Sequence, residues 1–224
     1  MPTLAIVGAG PGLGLSVARV FGKHGHEVAL IARNRGRLEA LVAQLEADGV
    51  TAAAFTADVT DRHTVSRALG EVIERFGRID VLEYSPYSAE ASFADVLTLD
   101  VEEQLVPQVE GILLSGVTAA ATVLPAMLEA GTGTLLFTGG IGSIHPLPIL
   151  AGANAAQAGL RNYVHNLYGV LADRGVYAAW VAVGAWIGSS PPAGYPSIEP
   201  DALAATMWEM HTTRTDVERV VTGS

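Results

Sequence analysis

The run Gly8-Ala9-Gly10-Pro11-Gly12-Leu13-Gly14 near the N-terminus carries the densest chemical signal in the chain. Glycines spaced this way let a backbone bend tightly and approach a ligand closely, because no Cβ intervenes. The run follows the apolar stretch Leu4-Ala5-Ile6-Val7 and opens a helical pattern. A strand, a glycine-rich turn and a helix N-terminus together present backbone N–H groups and the positive end of the helix dipole to phosphate. The chemistry implied is the holding of a pyrophosphate, and a second strand following within about twenty residues is the context a dinucleotide site needs.

That second strand ends Leu30-Ile31-Ala32-Arg33-Asn34-Arg35. A site for NAD(H) places an acid here to accept from the adenine ribose hydroxyl. None is present. Arg33 and Arg35 suit a ribose phosphate instead, since guanidinium matches phosphate geometry, and this favours NADP(H) over NAD(H). As solvated charges opening a helix they would carry no such meaning. Asp58, with Val59, ends a third strand and is placed either to meet the adenine or to cap the next turn. Gly8, Gly10, Gly12, Leu13, Gly14, Arg33, Asn34, Asp58 and Val59 are therefore the candidate cofactor contacts.

The elements that must position these residues alternate. Mostly apolar runs at Thr3–Val7, Glu27–Ala32, Thr51–Thr56, Ile79–Tyr84, Thr134–Thr138 and Tyr177–Val183 predict strands covered on both faces. Helical patterns fall between them, at Leu13–His24, Arg37–Ala47, Arg62–Phe76, Val101–Ala130 and Ala153–Asp173. Asp61 is a predicted N-cap and Gly77 a predicted stop for the third of these. The long helix carries a possible interruption at Pro107. Alternation of this kind predicts an α/β fold: one Rossmann-type domain over residues 1–224, with a doubly wound parallel sheet of six to seven strands and helices on both faces. The Pro-, Gly- and Ser-rich stretch 188–200 is either a short substrate lid or a plain surface connection.

Composition narrows the function. The chain has 224 residues, half of them hydrophobic and 16% charged, which excludes a disordered protein. The formal net charge of −10 argues against nucleic acid or an anionic membrane as partner. With no cysteine, thiolate catalysis and Cys-based metal sites are out. No ligand-spaced His and carboxylate cluster is evident, so no metal is expected. No secretory signal and no apolar run of membrane-spanning length is recognised, so a cytoplasmic protein is expected.

In order and spacing, several segments resemble the short-chain dehydrogenase/reductase family. They are the loop Gly8–Gly14, Ile31-Ala32-Arg33-Asn34, Ala57-Asp58-Val59, Gly77-Arg78-Ile79-Asp80-Val81-Leu82, Val123-Leu124-Pro125-Ala126-Met127, Gly133-Thr134-Leu135-Leu136-Phe137 and Val183-Gly184. The resemblance implies an oxidoreductase acting on a small, mostly apolar metabolite. It also implies pairing through the two long helices into a homodimer or homotetramer. Gly184 and Ile187 lie where the family contacts the nicotinamide. The resemblance weakens at Val220–Gly223, where the family continues into a last strand.

The family's catalytic Ser, Tyr and Lys fall on Gly140, Ala153 and Gln157. Lys23 is the chain's single lysine, so no shift of register recovers a Tyr-x-x-x-Lys pair. A positioned proton donor contributes roughly 10²–10⁴ in rate, so its loss is substantial. The candidates to replace it are Tyr84 and Tyr87 after the fourth strand, and Ser143 and His145 after the fifth. Gln157 keeps a hydrogen bond to ribose hydroxyls in prospect. Glu83 stands out as an acid in an apolar strand, where burial would raise its pKa. Each has a plainer alternative as a packed or surface residue. The family implied is thus an intact cofactor half beside an emptied catalytic half, with a non-redox enzyme or a non-catalytic cofactor sensor as the rival outcomes.

Overall fold

A computed structural model describes residues 1–87 and 93–223. The elements in chain order are β1 (Thr3–Val7), α1 (Leu13–Lys23), β2 (Glu27–Ala32), α2 (Arg35–Ala47), β3 (Ala52–Thr56), α3 (Arg62–Phe76), β4 (Val81–Tyr84), α4 (Val101–Ala130), β5 (Gly133–Gly140), α5 (Ala151–Leu171), β6 (Val176–Val183), β7 (Trp186–Ile187), β8 (Ser197–Ile198), α6 (Pro200–Thr213) and β9 (Glu218–Val221). Seven strands form one parallel sheet in the order β3-β2-β1-β4-β5-β6-β9. The chain winds outward from β1 to β3, crosses back, and winds outward again from β4. The reversal point lies between β1 and β4, where doubly wound sheets bind ligands outside the strand carboxyl ends.

The strands are apolar on both faces because both are covered. One core layer joins Ala5, Val7, Leu82, Tyr84, Leu135 and Phe137 to α3, α4 and α5. The other joins Leu4, Ile6, Val81 and Leu136 to α1, α2 and α6. Local signals set the helix starts. Asn34 accepts from the Arg37 N–H at 2.9 Å and caps α2. Asp61 accepts from the His63 N–H at 3.0 Å and caps α3.

Three expectations need correction. The family's last strand is present: β9 pairs with β6 from Trp180–Glu218 to Val183–Val221. Its residues are only half apolar and follow a helix outside the expected elements, α6, whose Leu203, Ala204, Met207 and Met210 are buried. Second, α4 is not broken at Pro107. Wide π-type turns at Val101–Leu105 and Val109–Leu114 flank Val106–Gln108, so the helix continues past a residue that lacks an N–H. Third, α4 is long and apolar enough, by length and composition, to cross a membrane. It owes this to uncharged small residues, and Ala119, Ala120, Val123 and Met127 pack it into the core. The stretch 188–200 is tied down at its ends by the short parallel pair β7–β8, with the Trp186 N–H donating to Pro196 O and the Gly188 N–H to Ile198 O.

Candidate cofactor and active site

A cavity of about 620 Å³ opens at the carboxyl edge of the sheet. Its walls come from the glycine loop (Gly8, Ala9, Gly10, Pro11), the β2–α2 junction (Arg33, Asn34, Arg37), the segment after β3 (Asp58, Val59, Thr60), the segment after β4 (Pro86, Tyr87), α4 (Pro107, Gln108, Gly111, Ile112) and Gln157 of α5. Gly8 has φ +99°, and a Cβ there would lie 2.6 Å from Pro86 N. The loop therefore presses directly on the chain leaving β4. Gly10 and Gly12 face open space, where a Cβ would meet nothing within 4 Å. Gly12 begins α1 without a side-chain cap, which leaves the helix N-terminus to a ligand. Gly14 serves packing, since its Cβ would stand 3.0 Å from Ala9 Cα. An uncapped helix N-terminus beside the cavity fits a pyrophosphate.

The structure sorts the basic residues after β2. Arg33 lines the cavity, whereas Arg35 turns away and pairs with Glu39 on the exposed face of α2 at 2.9 Å. Arg37, not singled out from the sequence, lines the cavity in its place. Arg37 follows Arg35 by two residues in the first turn of α2 and so stands on a different face of the helix. Asn34 and Asp58 both line the cavity and both also serve the backbone. Asp58 Oδ1 accepts from the Thr60 N–H and hydroxyl at 3.0 and 2.8 Å.

The four proposed proton donors are placed differently from one another. Tyr87 lines the cavity and is exposed. Tyr84 does not: its ring is buried, and its hydroxyl donates to Gly111 O at 2.5 Å, with burial pushing its pKa up. Ser143 is buried, and its hydroxyl donates to Gly140 O at 2.8 Å. His145 is exposed, its backbone N–H bonded to Ile141 O, and lies outside the cavity walls. Tyr84, Ser143 and His145 are thus not gathered with Tyr87, because alternation along β4 and the tight turn after β5 aim them elsewhere. Gly12, Leu13, Gly184 and Ile187 also lie outside the cavity walls. The Gly184 N–H bonds Val221 O, and Ile187 pairs with Ile198.

Where the family pattern places serine and lysine, the space is reused. Gln157 Oε1 accepts from the Gly140 N–H at 3.0 Å. That bond fixes the amide's orientation and leaves Nε2 as its donor end on the cavity wall. A Cβ at Gly139 would run into the Trp180 indole, so the glycine there makes room for tryptophan. Ala153 is buried in α5. Glu83 is fully buried on β4, within 2.9 Å of the Ser85 hydroxyl and 3.2 Å of the Thr138 hydroxyl. Burial pushes its carboxyl up to about 8, against the pull of those two hydroxyls.

The doubly wound sheet and the uncapped glycine loop define a Rossmann-type dinucleotide-binding protein. Within that class, the sequence profile described as short chain dehydrogenase matches residues 2–187, and the chain belongs to that family. It is 28% identical over 176 residues to 2-(S)-hydroxypropyl-CoM dehydrogenase 3 of Xanthobacter autotrophicus, covering 77% of this chain and 67% of that protein. It is 34% identical over 154 residues to a putative ketoacyl reductase of Streptomyces coelicolor, covering 65% of this chain and 57% of that protein. The fold superposes on L-sorbose reductase from Gluconobacter frateurii, solved with NADPH and L-sorbose, with a TM-score of 0.87 at 20% identity over 100% of this chain and 96% of that one.

Proposed function

We propose that this chain is an NADP(H)-dependent oxidoreductase that acts on a small, mostly apolar carbonyl or alcohol through a site without the family's Ser, Tyr and Lys. The observation that supports it most is the pairing of Arg33 and Arg37 on the wall of a dinucleotide-sized cavity whose β2 edge carries no acid. Solved relatives such as L-sorbose reductase hold NADPH, in keeping with that wall.

Bound nicotinamide would supply or accept a hydride. The chain's own part is to hold and orient. The α1 N-terminus and Gly10 take the pyrophosphate, Arg33 and Arg37 the ribose phosphate, and Asp58 and Val59 the adenine side. Gln157 Nε2 donates to a ribose hydroxyl or to the substrate oxygen. Tyr87 is the one proposed proton donor on the cavity wall, and as a phenol it holds its proton at neutral pH. Titration of the protein with NADPH, followed by nicotinamide fluorescence, tests the reading. Saturable binding that is stronger than for NADH is expected; no binding at millimolar NADPH would sink it. The emptied positions Gly140, Ala153 and Gln157 favour one rival, a non-redox reaction in the same pocket, which would turn substrate over with no change in nicotinamide absorbance.

A further inference from the structure

Tyr84 lies outside the cavity, yet its hydroxyl reaches the cavity wall from behind. It donates at 2.5 Å to the carbonyl of Gly111, a buried residue of α4 that lines the cavity. In a regular α-helix that carbonyl would accept from the N–H four residues on, which belongs to Ser115. Here the Ser115 N–H goes to Glu110 O, five residues back, and to Ile112 O. The wide turn Val109–Leu114 thus takes away the usual partner of Gly111 O, and a buried carbonyl needs another. Tyr84 supplies it from the end of β4.

The surroundings are shaped to this bond. A Cβ at Gly116 would stand 3.3 Å from Tyr84 Cε1, so the glycine leaves room for the ring. Phe137 packs beside it, with 5.9 Å between ring centres. The same turn is fastened to the Val59 side of the cavity. The Ser115 hydroxyl donates to Val59 O at 2.6 Å, and Glu110 approaches Arg62 at 3.7 Å. Gly111 fits against Val59, where a Cβ would lie 3.4 Å from Cγ2.

The wide turn decides what α4 shows to the cavity. Gly111 and Ile112 lie within it, Pro107 and Gln108 come just before it, and all four line the wall. Handing Gly111 O back to the Ser115 N–H would restore the α register. The residues before the turn would then rotate by about 100°, one residue's share of a helical turn, against the rest of α4. Pro107 and Gln108 would leave the wall. We propose that Tyr84 is a positioning residue: by holding Gly111 O outside the α ladder, it fixes the α4 wall of the cavity in its ligand-binding form. The inference rests on the cofactor reading above and concerns binding, not proton transfer.

Tyr84→Phe removes the hydroxyl and keeps the ring. Tyr177→Phe is the matched control, because the Tyr177 hydroxyl also donates to a backbone carbonyl, Asp216 O, at 2.5 Å, and lies outside the cavity walls. Thermal unfolding and fluorescence titration with NADPH are measured on both. Each variant should lose about 2–4 °C in Tm, the worth of one hydrogen bond. Only Tyr84→Phe should also weaken NADPH binding, by about tenfold. A purely structural role for Tyr84 predicts that the two variants bind alike. Ser115→Ala, which unties the same turn from Val59 O, should weaken NADPH about threefold and decides the matter should Tyr84→Phe fail to fold. Unchanged NADPH affinity in Tyr84→Phe, or an equal loss in Tyr177→Phe, overturns the inference and leaves the cofactor reading standing. Should Tyr84→Phe not fold, unchanged affinity in Ser115→Ala does the same. Absence of NADPH binding by the unaltered protein overturns both.

Discussion

The two wings of the sheet are made of the same strand–helix unit, yet they treat the carboxyl edge differently. Around β1, β2 and β3 the edge is kept open. Gly10 and Gly12 face empty space, α1 starts uncapped, and Arg33 and Arg37 line the cavity. Around β4, β5 and β6 the edge is filled from within. Tyr84 closes on Gly111, Ser143 on Gly140, Gln157 on the Gly140 N–H, and Trp180 occupies the room beside Gly139. Polar groups on the first wing have been left for a ligand, and those on the second mostly satisfy one another. Holding phosphate relies on backbone and helix dipole, whereas proton transfer relies on particular side chains, so the two wings place different demands on sequence.

The sharpest way to break this contrast is at its seam. Gly8→Ala combines a positive φ with a Cβ forced onto Pro86, joining the open wing to the filled one. It should cost about 1–3 kcal/mol of stability and lower NADPH affinity at least tenfold. Thermal unfolding and fluorescence titration measure the two effects, and an unchanged affinity would show that the seam does not shape the pocket.

The wings are also clamped at the opposite edge of the sheet. Phe21, His24 and His26 of the first meet Trp208 and His211 of the second, with His24 stacked on Trp208 at 3.8 Å. Burial lowers His26 below its ordinary 6.5 and takes His211 down to about 4. A histidine held neutral by the fold takes up its proton more readily when unfolded. This contribution to stability is therefore whole above about pH 6.5 and is lost as pH falls toward 4. The loss is at most about 1.4 kcal/mol per pH unit for each proton. His211→Gln should flatten the acid limb of a stability–pH curve; an unaltered limb would remove the clamp from the account.

The smallest effect separates two arginines that look alike in sequence. Arg33→Ala should weaken NADPH binding about tenfold and leave NADH binding nearly as it was, since one charge-assisted hydrogen bond is at stake. Arg35→Ala, which removes an exposed pair with Glu39, should leave both unchanged within about twofold. Equal losses in the two variants would mean that the start of α2 is not phased as described.

Much of the first wing was legible in the sequence because its signals are local. The glycine loop, the cap Asp61 and the apolar strands need only near neighbours to act. The second wing was less so. Tyr84 and Tyr87 stand close in sequence and face different surroundings, one inside the core and one on the cavity wall. Ser143 follows β5 in a tight turn that spends its hydroxyl on its own backbone. Arg37 gave no signal of its own and joined the cavity through the phase of α2. The helix α6 does carry a helical spacing, Leu203, Met207 and Met210 behind Pro200, whereas the short, half-charged β9 gains its strand character from pairing with β6.

Sequence by itself determined the parallel sheet and the glycine loop, and its single lysine, Lys23, leaves no Tyr-x-x-x-Lys pair in the chain. Only the tertiary structure decided which side chains share the cavity, and only it surrounded Glu83 with apolar atoms and two hydroxyls. The physical reason is that backbone propensities act over a few residues. A side chain's protonation, direction and partners are set instead by neighbours that the chain brings together from far apart, as Thr138 is brought to Glu83.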